Sequence, residues 1–103
     1  MSGAEGWSLD LAREFRADPF GAHSPELTRA LNVMRSAPME GKHCLVCTRP
    51  HEEWRLAVMS GARGVAPQIQ HNQVFTSLAA AEWAVFKLRW RDLTGREIDD
   101  ASL

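Results

Sequence analysis

The sequence has little of what several classes of protein require. Its net charge is only −1, from 12 basic and 13 acidic residues, so no basic field would attract nucleic acid. No run approaches the roughly 18 apolar residues that a membrane-spanning helix needs. Residues 1–10 lack the positive charge and the apolar stretch of a signal peptide. We therefore expect a cytoplasmic protein that binds neither nucleic acid nor a membrane.

Cysteine is also scarce, since Cys44 and Cys47 are the only two. Two cysteines cannot form a disulfide framework. Their C-x-x-C spacing, with His43 and His51 nearby, is one that can bind zinc or form a redox pair. On a strand, however, positions i and i+3 lie on opposite faces, so the two thiols would diverge. We predict two small buried side chains and no metal site in this chain, with zinc and redox chemistry as the alternatives.

Tyrosine is absent, whereas the chain has four tryptophans and four phenylalanines. At about 100° of rotation per residue, segment 76–93 is predicted to be a helix with two apolar stripes, roughly 150° apart. The first stripe consists of Leu78, Ala81, Val85 and Leu88. The second, which we call the tryptophan stripe, consists of Ala79, Trp83, Phe86 and Trp90. A chain of 103 residues is expected to cover only one stripe, so we predict that the tryptophan stripe is exposed and binds a partner.

The remaining pattern predicts a small α+β fold in a single domain over residues 1–103. Its other elements are helices from Ser8 to Arg16 and from Ser24 to Ala37, strands over 42–49 and 54–59, a surface loop over 60–74, and flexible tails over 1–7 and 96–103. Ser8 and Ser24 can each cap a helix, and Pro25 suits a first helical position. The short link between the strands predicts an antiparallel hairpin, with a helix as the alternative for 52–59.

No group of side chains in the sequence has the spacing of a catalytic site. The four histidines are scattered, and none lies at metal-chelating distance from another along the chain. Glu52 and Glu53 are adjacent, so in an extended segment their carboxylates point apart. The glycine-bearing loop from Gly61 to Gly64 lacks the lysine and hydroxyl residue of a phosphate-binding loop. We predict that this chain carries no catalytic residue.

Several motifs, taken in order, belong together. They are Asp18–Gly21, His23–Pro25 with Leu27 and Arg29, Leu31–Arg35 with Pro38 and Gly41, Glu53-Trp54, Gly61–Gly64 with Pro67, Phe75-Thr76, and Ala81–Arg89. As an ordered set they resemble the small (light) subunit of N,N-dimethylformamidase. The resemblance covers roughly residues 15–91, which is most of the chain.

That resemblance implies an activity that resides in another chain. The family enzyme hydrolyses dimethylformamide to formate and dimethylamine. Its catalytic iron is held by tyrosine and glutamate residues of the large subunit, and the small subunit supplies no metal ligand. We therefore expect a hetero-oligomer with a large catalytic subunit. The family's small subunits have a tyrosine-rich first strand and a longer acidic N-terminus, whereas here the strand is His43–Cys47, so the substrate is left open.

The expected role is that of an accessory subunit, which stabilises the large subunit through the apolar face of the long helix. The predicted interface residues are Phe20, His23, Trp54, Trp83, Phe86 and Trp90. The alternative is a free-standing module that forms a homodimer through the same helix face and has no catalytic role.

Overall fold

The structure is a computed structural model, and it describes residues 6–38 and 41–103, apart from the side chains at positions 71 and 72. The elements in chain order are α1 (Leu9–Ala17), α2 (Pro25–Ser36), β1 (His43–Arg49), β2 (Glu53–Val58), β3 (Gln68–Phe75), α3 (Leu78–Thr94) and a short 3-10 helix (Asp100–Ser102). The predicted α+β class is confirmed. No helix among the described residues is long and apolar enough to cross a bilayer.

Contacts divide the described residues into two compact units. The helical unit contains the residues before Pro38 together with Phe86–Leu103, and the sheet unit is Pro38–Val85. The residues of α3 are shared, because those up to Val85 group with the sheet unit and those from Phe86 with the helical unit. The single domain over residues 1–103 stays a prediction.

The helices begin and end where local chemistry predicts. Ser8 accepts a hydrogen bond from the Asp10 N–H and caps α1, and Ser24 accepts one from the Leu27 N–H and caps α2. The Ser77 hydroxyl accepts a bond from the Ala80 N–H at the start of α3. At the other end Gly95 has a positive φ of 74°, which an L-residue rarely adopts, and its N–H donates to the Arg91 carbonyl.

Within the described residues the sheet has three antiparallel strands in the order β1-β2-β3, which is one more than predicted. The predicted hairpin is present, with Leu45 opposite Leu56, and the helix alternative for this segment is wrong. The predicted loop over 60–74 is also wrong from Gln68 onward, because that segment pairs with β2 as strand β3. Neighbouring strands are held together by hydrogen bonds between backbone N–H and C=O groups, which do not depend on the side chains. A strand with polar side chains, such as β3, can therefore lie at the edge of a sheet, where side chains are half exposed.

The terminal segments have more contacts than their composition predicts. Residues 1–5 of the predicted N-terminal tail lie outside the described residues, but the Trp7 and Trp90 ring centroids are 5.2 Å apart. At the other end Ile98 is only 9% exposed, and the Arg13 guanidinium donates to the Ser102 carbonyl at 3.2 Å. Lys87 Nζ lies 3.2 Å from an Asp100 carboxylate oxygen. These contacts give the segment after Gly95 a defined position in the helical unit, whereas its composition predicted a loose tail.

Candidate interface

The tryptophan stripe is buried within the chain itself. Trp83, Phe86 and Trp90 are 9%, 2% and 1% exposed, so the prediction that this stripe is uncovered is wrong. In the helical unit the Phe15 ring of α1 stacks on Phe86, with centroids 4.3 Å apart. Trp7 packs against Trp90 from the segment before α1. These three residues were assigned to an interface because they were expected to be exposed. Their burial removes that reason.

The opposite stripe of α3 is covered in its middle, at Ala81 and Val85. Ala81 is fully buried and Val85 is 4% exposed, while Leu78 at the helix start is 36% exposed. A helix that is apolar on both sides is stable when both sides are buried. The sequence analysis assumed that the chain has a single core and that this core covers only one stripe of the helix. Instead the first half of α3 contributes to the sheet unit and the second half to the helical unit.

Trp54 lies in the central strand of the sheet unit. It pairs with Cys47 of β1 on one side and with Phe75 of β3 on the other. Directly opposed residues of neighbouring strands share one face of a sheet, so the three side chains form a cross-strand row. Trp54 is half-buried in that row. Its assignment to an interface stays a prediction.

The two remaining predicted residues lie in the loop between α1 and α2. We call residues 18–24 the Phe20 loop. Phe20 is 61% exposed, the highest value among the exposed large apolar side chains of the described residues. His23 is half-buried, and its ring lies over Phe15 with centroids 5.9 Å apart. The loop therefore holds one histidine against the helical unit and presents one phenylalanine to solvent.

The first half of the Phe20 loop is held by Asp18. The Phe20 N–H donates to Asp18 Oδ1 at 3.2 Å, and the Gly21 N–H donates to the Asp18 carbonyl at 3.4 Å. A Cβ atom at position 21 would overlap the Asp18 carboxylate. Glycine is therefore required at position 21 if the carboxylate is to stay where it holds the Phe20 amide.

The second half of the loop is held by Glu14 of α1. Its two carboxylate oxygens accept hydrogen bonds from the Ser24 hydroxyl and the Ser24 N–H, each at 2.6 Å. The Ser24 hydroxyl in turn accepts from the Leu27 N–H at 3.2 Å. The bonds from the Ser24 hydroxyl and N–H, with a smaller contribution from the charge of His23, lower the pKa of Glu14. Glu14 thus links the end of α1 to the cap of α2.

The sequence analysis found the cap at Ser24 but missed its partner Glu14. The two residues lie ten positions apart on different elements, with a loop between them. A helix cap is a local pattern, whereas this bond depends on how α1 and α2 approach each other. No spacing rule in the sequence would have identified it.

The cysteines lie on strand β1, as expected, but they differ in burial. Cys44 is half-buried, while Cys47 is exposed, so the prediction that both are buried is wrong. The regular pairing of β1 with β2 is interrupted between Cys47 and Arg49, and the strand is exposed from that point. Among residues 6–38 and 41–103 no three or more His, Cys, Asp or Glu residues are grouped so that they could hold a metal ion.

One open cleft of about 400 Å³ lies in the helical unit. Trp7, Leu11 and Val33 form its apolar part, and Glu26 and Arg29 its charged part. The last two form an exposed ion pair at 4.0 Å. None of the six predicted interface residues lines this cleft.

The fold and these contacts define a small α+β chain that presents a phenylalanine on a loop held at both ends. Comparison with known families then identifies it. The family model of the N,N-dimethylformamidase alpha subunit matches residues 6–100, and the chain belongs to that family. The resemblance seen in the motifs of residues 15–91 is thereby confirmed. No curated protein matches the chain. The family is one of subunits of a hydrolase, which implies partner subunits.

Proposed function

We propose that this chain is the accessory, non-catalytic subunit of an N,N-dimethylformamidase-like amide hydrolase. In that hetero-oligomer a large partner subunit would hold the iron and hydrolyse the C–N bond of a small formamide or related amide. The observation that carries the proposal is the family match, which extends over residues 6–100 of the 103.

The side chains of this chain do not fit the iron site that the family implies. That site uses tyrosine ligands, and the sequence contains no tyrosine. Among the glutamates of this chain, Glu14 already uses both carboxylate oxygens to accept hydrogen bonds from Ser24. We therefore assign the iron to the large subunit and derive no step of the hydrolysis from residues of this chain.

Two polar side chains of the Phe20 loop that could serve chemistry are engaged in holding the fold. The Ser24 hydroxyl donates to Glu14 and accepts from the Leu27 N–H, so it acts as a helix cap. The ring of His23 packs on Phe15. Such arrangements position a loop and two helices, which supports a structural contribution to the holoenzyme.

An accessory subunit of this kind would stabilise its partner by burying apolar surface. Burial contributes about 25 cal/mol per Å² before the costs of association are subtracted. A bound subunit also stabilises the folded partner by mass action. The contact surface would not be the tryptophan stripe, because the chain already covers it. Phe20 is the predicted interface residue that remains exposed.

The test is co-expression of this chain with the large dimethylformamidase subunit encoded by the same host. We expect the two chains to co-purify at a fixed ratio and the iron to remain with the large chain. We also expect the large chain to lose thermal stability and formate-releasing activity when expressed alone. Recovery of this chain as a stable monomer or homodimer, with the large chain stable and active without it, would contradict the proposal.

A further inference from the structure

We propose that the Phe20 loop is the preorganised anchor of this chain on the large subunit, with the Phe20 ring inserted into an apolar pocket of that subunit. Glu14 is the positioning residue that holds the loop in its binding shape. This inference rests on the proposed function, because it names the contact through which the accessory subunit would dock.

The first step is the contrast between Phe20 and the other phenylalanines of the helical unit. Phe15 and Phe86 are 5% and 2% exposed, whereas Phe20 is 61% exposed. An aromatic side chain gains more than most from burial at an interface, and a few such residues supply most of the binding energy. Phe20 is therefore the side chain of the helical unit with the most to gain from a partner.

The second step is that the loop has little freedom to lose. The Asp18 carboxylate accepts a hydrogen bond from the Phe20 N–H, and the Glu14 carboxylate accepts hydrogen bonds from the N–H and the hydroxyl of Ser24. Ordering of a mobile loop is one of the main costs of association. A loop whose two ends are already hydrogen-bonded avoids most of that cost. A phenylalanine presented in this way is arranged as an anchor rather than left exposed by chance.

The third step is the identity of the occupant. Asp18 is exposed next to Phe20, and the Glu14 carboxylate lies at the other end of the loop, where it is bonded to Ser24. A symmetric dimer centred on this loop would place the acidic residues of two copies against each other, which is unfavourable. A partner pocket with an apolar floor and a basic rim would satisfy both Phe20 and Asp18. Since the family is one of hydrolase subunits, the large subunit is the partner we assign.

The experiment measures the affinity of the purified large subunit for variants of this chain. Phe20→Ala is expected to weaken binding by roughly ten- to a hundredfold, and Phe20→Leu should restore most of the loss. Val65→Ala is the matched control, because Val65 is also a large apolar side chain on a loop and is 57% exposed. It should change the affinity by less than about twofold.

Two further variants test the positioning of the loop while Phe20 is kept. Gly21→Ala places a Cβ against the Asp18 carboxylate, and Glu14→Gln weakens the bonds to Ser24. Each is expected to weaken binding by roughly three- to tenfold without loss of the folded state by circular dichroism. A double-mutant cycle separates positioning from a general structural effect, because Glu14→Gln should have no further effect in the Phe20→Ala background.

The outcomes distinguish the two proposals. If the large subunit does not bind the unchanged chain, the proposed function fails. If it binds the unchanged chain and Phe20→Ala equally well, the anchor is overturned while the accessory role stands. Equal losses from Val65→Ala and Phe20→Ala would also overturn the anchor. So would a homodimer of this chain that Phe20→Ala dissociates, because the occupant would then be a second copy.

Discussion

Phe15 of α1 and Phe86 of α3 stack face to face, with ring centroids 4.3 Å apart and ring planes inclined by 13°. The contact joins α1 to α3, and both rings are almost fully buried. Together with the packing of Trp7 on Trp90, it explains why Phe86 and Trp90 of the tryptophan stripe do not face solvent. We expect the stability of the helical unit to depend on it.

Phe15→Ala would leave a cavity beside Phe86. Substitutions of this kind in a core cost about 3–5 kcal/mol of the free energy of unfolding. Urea denaturation, followed by circular dichroism, measures the change. Leu9→Ala is the control on the same helix, because Leu9 is 38% exposed, and it should cost less than about 1 kcal/mol. A loss below about 1 kcal/mol for Phe15→Ala would contradict the described packing.

Trp7 is expected to shield Trp90, which is 1% exposed. Removal of the Trp7 ring by Trp7→Ala should lower the stability by about 1–2 kcal/mol, because an aromatic pair and part of its buried area are lost. The fluorescence of the remaining tryptophans should shift to longer wavelength as water reaches Trp90. Trp7→Phe keeps an aromatic ring and should shift the emission much less. An unchanged emission maximum in Trp7→Ala would show that Trp90 is covered by something else.

The hydrogen bonds from Ser24 to Glu14 predict a pH dependence of stability. They lower the pKa of Glu14 in the folded state below its ordinary value of 4.5. The stabilisation is therefore fully present above pH 4.5, and it is lost as the pH falls through the lowered pKa. Melting temperatures of the unchanged chain and of Glu14→Gln should differ at neutral pH and converge in acid. Parallel curves over the whole range would show that the carboxylate charge has no such role.

The two cysteines should differ in reactivity. Cys47 is exposed at the end of β1, whereas Cys44 is half-buried opposite Ala57 of β2. A thiol reagent should therefore modify Cys47 first, and both cysteines at equal rates only after denaturation. Peptide mass spectrometry after a short treatment identifies the modified residue. Equal protection of both thiols, reversed by a chelator, would instead favour the zinc alternative.

The parts of the fold that the sequence predicted are those with local causes. Ser24 and Pro25 specify a helix start by their own chemistry, and Gly95 specifies a helix end. Strand β3 was missed because its stability comes from pairing with β2, and its glutamines carry no strand signal of their own. The same limit applies to most pairings between distant segments.

In the candidate site, too, the features with local causes were predicted and those that depend on distant segments were not. The periodicity of α3 correctly placed Trp83, Phe86 and Trp90 on one stripe, but periodicity does not say what lies opposite. The residues that pack on Phe86 and Trp90 are Phe15 and Trp7, and they come from the other end of the chain. Phe20 was found because a phenylalanine between Pro19 and Gly21 is expected in a loop, whereas the bonds that fix this loop required the structure.

The division of α3 between two units has a practical consequence for work with fragments. The boundary between Val85 and Phe86 falls inside a continuous helix, and the sheet unit is inserted in sequence between the two segments of the helical unit. Cleavage there would expose backbone N–H and C=O groups that the helix now pairs. Truncation at both ends gives the contiguous sheet unit only with a cut inside α3, and the helical unit, which has two segments, cannot be obtained by truncation. To isolate the helical unit, one would have to splice Ala37 to Phe86 through a new connection.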